Sequence, residues 1–128
     1  MVCISLPLYL MTKAKQPSDI KEKWDKLSYW FIKSTGKRPN TNTLLFLIGV
    51  QELGKGKKNF SKEEKQDLMH LALCKLFSNS GFYQLEGLDE DGWPHYSLVE
   101  ELPEMSVEEQ EHFIQWHIID YFSDIIDL

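Results

Sequence analysis

From Leu44 to Val50 the chain reads Leu-Leu-Phe-Leu-Ile-Gly-Val, its most apolar stretch. A run of that kind asks for burial on nearly every face, so the segments beside it have to supply the cover. The turn-forming string Lys37-Arg38-Pro39-Asn40-Thr41-Asn42 before it and Gly54 after it predict a buried helix over 42–53 rather than a strand. Gly49 in its interior costs ~1 kcal/mol relative to alanine, and close approach of a neighbouring helix is the reason expected for it. Leu47 lies at the centre of the run, and an aspartate there is expected to abolish soluble folding.

Polar and apolar positions alternate with helical period in three further segments. Ile20, Trp24, Leu27 and Phe31 fall on one face of a helix over 19–35, capped by Ser18 or Asp19 and ended by Gly36 and Pro39. Ser61-Lys-Glu-Glu64 is a capping box that opens a helix over 61–78, with Leu68, Leu71, Ala72 and Leu76 on its buried side. Ser106-Val-Glu-Glu109 is a second such box, opening a helix over 106–126. Val107, Ile114, Ile118, Tyr121, Ile125 and Leu128 make its apolar stripe. Trp116 projects among acids on the other side, where cover by the 80–103 segment is expected.

Between the last two helices the periodicity stops. Ser80–Pro103 mixes aromatics, turn residues and acids, and Phe82–Leu85 can pair with Tyr96–Val99 as a short hairpin around Asp91-Gly92. The pattern as a whole predicts an all-α chain: a single-domain antiparallel bundle of about four helices over 18–128, carrying an irregular acidic-aromatic insertion, after an N-terminal arm over 1–17. That arm is apolar at its start but has no basic region or small-residue cleavage site, and it is too short to span a bilayer. Met11 is a second possible start. The two cysteines, Cys3 and Cys74, form no Cys-x-x-Cys pair, which with the absence of a leader pattern points to a reducing, cytoplasmic setting.

Charge sharpens the picture. The net charge of −6 divides into +7 over residues 1–66 and −13 over residues 67–128, where Lys75 is the one basic residue. The halves can neutralise each other within a molecule or present opposed patches to partners. Nucleic acid is disfavoured as a partner, because the acidic half repels a polyanion.

Candidate chemistry is sparse. Glu63, Asp67, His70 and Cys74 share one stripe of the third helix and are the best ligand-like set, but no closing partner is evident, and neither stoichiometric zinc nor calcium is expected. Asp89-Glu90-Asp91-Gly92 resembles part of a calcium loop, yet with Gly92 at the sixth position the first and twelfth fall on Gly87 and Leu98, so both anchoring carboxylates are missing. Gly54–Asn59 lacks the spacing of a phosphate-binding loop. The leading reading is a small protein-interaction or assembly module without catalytic activity or cofactor, binding a protein partner or itself as a homodimer. Its interface would be chiefly apolar, through Ile114, Trp116, Ile118, Tyr121 and Ile125. The alternative is an enzyme or small-ligand domain with a site under the 80–103 segment, drawing on Asp89, Asp91, His95, Tyr96 and His117. Convergence of those groups in one hollow is what separates the two.

Overall fold

The computed structural model describes residues 17–56, 59–126 and 128, with side chains from Ile20 onward, and among these described residues four helices and one β-hairpin follow one another. Residues 1–16 of the expected N-terminal arm, the side chains of Ser18 and Asp19, the lysines at 57 and 58, and Asp127 lie outside the described residues, while Pro17, expected to end the arm, begins the first helix. Helix α1 spans Pro17–Thr35, α2 Thr41–Leu53, α3 Lys62–Ser78 and α4 Val107–Ser123, while strands β1 (Tyr83–Leu88) and β2 (Pro94–Leu98) stand between α3 and α4. Among the described residues no helix is long and apolar enough to cross a membrane. The chain divides into two compact units, one holding α1 and α4, the other residues 40–101.

In the first unit, α1 and α4 bury Ile20 against Ile119, with Trp24, Trp116 and Leu128 packed around that pair. Phe31 meets Phe122 edge to face at 5.6 Å, the arrangement that opposes a ring's positive edge to another's negative face. The buried side of α4 is Phe113, His117, Ile118, Ile119 and Phe122, rotated from the expected stripe. Val107 and Ile125 are 84% and 64% exposed. The rotation has a physical cause: the rings of Phe113 and Phe122 carry more apolar area than Val107 and Ile125, and the imidazole of His117, polar by type, is buried among them.

In the second unit, Asn40 caps α2 by accepting from the Thr43 N–H at 2.7 Å, and Gly54 (φ 67°) closes the helix with an N–H to the Val50 carbonyl. Both expected capping boxes form, Ser61 with Glu64 and Ser106 with Glu109. Leu44, Leu45, Ile48, Gly49 and Leu53 are buried on α2, but Leu47 is 38% exposed. An all-apolar run still has one side outward when it turns every 3.6 residues. The expected centre of the core is therefore displaced by one position, to Ile48. Gly49 meets α3 through its missing side chain: a Cβ there would run into the Leu68 carbonyl, 2.7 Å from its carbon and closer still to its oxygen.

The all-α expectation is overturned by the hairpin. The strands pair antiparallel, Tyr83 opposite Leu98, Leu85 opposite Tyr96 and Leu88 opposite Pro94, with a bulge between Leu85 and Gly87. What aims this ribbon is the end of α3. Gly81 (φ 88°) adopts the left-handed conformation, the Gly81 N–H bonds Ser78 O at 3.1 Å and the Phe82 N–H bonds Phe77 O at 3.0 Å, a Schellman-type closure. Phe82, 1% exposed, then accepts from Val99 N at 2.9 Å, fixing the open end of the hairpin to the end of the helix.

Candidate functional site

The hairpin tip is built by one carboxylate. Asp89 Oδ1 accepts from the N–H groups of Asp91 and Trp93, each at 2.9 Å, while its backbone bonds Trp93 O and Gly92 N. Those bonds explain the resemblance to a calcium loop: the aspartate shapes the turn. Its other oxygen lies 2.9 Å from His95 Nε2, and since a carboxylate only accepts, that nitrogen carries the hydrogen. The His95 contact, with the N–H groups of Trp93 and Asp91, holds the Asp89 carboxyl below its usual range. Gly92 (φ 82°) leaves room for Lys55, whose Nζ would stand 3.2 Å from a Cβ at that position.

Facing the tip is a stripe of α3 on which Asp67 and His70 are exposed and Cys74 is buried. Asp67, His70 and Cys74, one turn apart, form with Asp89, Asp91, His95, Trp93 and Tyr96 the walls of an open groove of about 390 Å³, with Leu71 and Pro94 also lining it. Trp93 and Tyr96 reach past the groove onto the Leu53, Leu68 and Leu71 cluster, so both rings are anchored by apolar contact while presenting an edge or face to solvent. Burial raises the Tyr96 hydroxyl, with Glu52 and Cys74 adding to it. Cys74 Sγ lies 3.6 Å from His70 Nε2, and burial pushes its thiol up. A thiol held protonated is a weak nucleophile and a poor metal ligand.

Two residue sets read separately from the sequence thus meet in one place: Asp67, His70 and Cys74 from α3, and Asp89, Asp91, His95 and Tyr96 from the hairpin. Trp93, Leu71 and Pro94 were missed as lining, although Trp93-Pro94 lies between the turn glycine and His95 in sequence. Glu63 is exposed on α3 outside the groove lining. Among the described residues no group of three or more His, Cys, Asp or Glu is placed to hold a metal ion.

His117 belongs elsewhere. It is 2% exposed in the α1–α4 unit, and its Nδ1 donates to Phe113 O at 2.7 Å. Burial lowers its pKa from 6.5, outweighing the opposing effects of the Phe113 carbonyl and Asp120. The unfolded chain therefore takes up a proton at this residue before the folded one does, and stability present above about pH 6.5 is lost as pH falls toward the folded value. Chemical denaturation at pH 7 and pH 5.5 should show a larger loss of midpoint for the native chain than for His117→Phe. Equal losses would mean that His117 does not titrate in the unfolding reaction.

The residues expected at a dimer interface are mostly engaged in the α1–α4 unit. Ile118 is fully buried, Trp116 packs on Ile20 and Ile119, and Ile114 and Tyr121 are half-buried, which leaves Ile125 open. Trp116 is covered at least from α1 and α4. Comparison of the chain with protein-family models, curated proteins and solved structures returns no match.

Proposed function

We propose that this chain is a non-catalytic recognition module, and that its contact surface is the groove between α3 and the hairpin, which takes a cationic side chain of a protein partner. One observation supports the reading above others: three carboxylates, of Asp67, Asp89 and Asp91, line the same open hollow as Trp93 and Tyr96. An ammonium or guanidinium gains there from charge and from the aromatic faces, the latter contributing ~0.5–2 kcal/mol, while the lysine or arginine stem lies along Leu71 and Pro94. The protonated Cys74 thiol argues against nucleophilic catalysis in the same hollow.

The test is titration of the chain with Nα-acetyl-lysine methylamide against its norleucine counterpart, which keeps the stem and lacks the charge. Millimolar binding of the lysine probe, weakened about fivefold or more in Asp67→Asn/Asp91→Asn, is expected. Equal binding of norleucine, or none of either, contradicts the reading. Four of the five groups expected of a ligand site, Asp89, Asp91, His95 and Tyr96, do share one hollow, and with the His95–Asp89 pair at 2.9 Å this favours a second reading, a small-ligand site with His95 as general base. That reading requires turnover that disappears in His95→Asn, whereas simple recognition has none to lose.

A further inference from the structure

We infer that the partner offering the cation is a second copy of this chain, which docks the C-terminal half of its α1 onto the α3–hairpin groove. The inference rests on the groove being a cation site, and it comes from a second surface that the groove's own geometry does not require. On α1 and beside it, Lys26, Tyr29, Trp30, Lys33, Ser34 and Ile126 line an open hollow of about 410 Å³. Tyr29 is 61% and Trp30 43% exposed, and because both line the same hollow they make a contiguous aromatic patch of the kind that marks interaction sites. Lys33 holds its ammonium 5.4 Å above the Tyr29 ring. Lys26 has Glu22 at 3.7 Å on the solvent-exposed side of the helix, a pairing weak enough to exchange.

The two surfaces are complementary in sign. From Lys26 to Arg38 the chain has four basic residues and no acid, whereas from Glu86 to Glu101 it has six acids and no lysine or arginine. They also match in kind. Tyr29 and Trp30 are the aromatic anchors that concentrate binding energy at interfaces, and the hairpin leaves Leu85, Leu88 and Leu98 more than half exposed to receive them. An ammonium beside this turn already has a precedent in Lys55, which lies over Gly92. Because the two surfaces differ, the contact is heterologous: it makes either a closed ring, of which a reciprocal pair is the smallest, or an open chain.

Charge reversal tests this on the full chain by sedimentation velocity. The variants are K26E/K33E, which reverses α1, and D67K/D91K, which reverses the groove while leaving the Asp89 carboxylate that builds the turn. Circular dichroism checks that both stay folded. At low salt the native chain should self-associate, and raising salt to 1 M, where the screening length shrinks to ~3 Å, should weaken association about tenfold or more. Each variant alone should be monomeric at the same concentration, and mixing them in equal amounts should restore association. Failure of the mixture to associate, or association indifferent to salt and to both reversals, overturns the inference. A native chain that is monomeric yet still takes the lysine probe overturns self-docking and leaves the groove's role standing. A chain in which neither the probe nor the reversals act on the groove overturns both.

Discussion

Replacing Ile48 with aspartate should leave no soluble, folded protein, while the same replacement at Leu47 should be tolerated. The two residues are neighbours of the same type on α2, but Ile48 is fully buried and Leu47 is 38% exposed. An unpaired carboxylate at Ile48 either stays charged in an apolar interior or takes a proton to enter it, and both cost several kcal/mol against a total stability of ~5–15 kcal/mol. At Leu47 the carboxylate reaches water, and the loss is limited to part of one leucine's burial, about 1 kcal/mol. Expression followed by circular dichroism checks the pair. A folded Ile48→Asp variant would mean that α2 does not turn this face inward.

Gly49→Ala should destabilise the chain by roughly 2 kcal/mol or more. On an open helix the same change stabilises by up to ~1 kcal/mol, because alanine is the better helix former. Here the new methyl group would meet the Leu68 carbonyl and, at 3.0 Å, the Leu68 Cβ. That obstacle belongs to the backbone of α3, so relief requires α2 and α3 to move apart, and overpacking of a close contact costs ~1–3 kcal/mol. Thermal unfolding should show a midpoint lower by several degrees. A midpoint raised or unchanged would show that the helices separate without cost and that Gly49 does not set their approach.

What could be read from the sequence follows the range of the interaction concerned. Capping boxes at Ser61 and Ser106 were legible because each is a reciprocal pair of bonds between residues three apart, complete within one turn. Gly49 was legible as a close approach because a glycine in an apolar helix needs a reason, although its partner, Leu68, was not. Helical period located α4 but misplaced its buried side, since a pattern that counts His117 as polar turns the stripe toward Val107 and Ile125. The hairpin was visible at its ends and its turn but not as a full six-residue strand, because Glu86 and Gly87 interrupt the alternation where the bulge lies. Convergence of the two halves of the groove was not legible at all. It depends on the turn at Gly81 and Phe82, which folds the hairpin back along α3 and brings Asp89 and His95 to a stripe twenty residues earlier.

The central claim, that this groove receives a cationic side chain, is tested most directly by placing the lysine probe in it by NMR. Intermolecular nuclear Overhauser contacts from the probe's ε-methylene to the rings of Trp93 and Tyr96, with shifts of the Asp91 and Trp93 amides that bond Asp89, are the predicted result. Contacts to Trp24, Trp30 or Trp116 in place of Trp93, or shifts of the same size with norleucine, would contradict it.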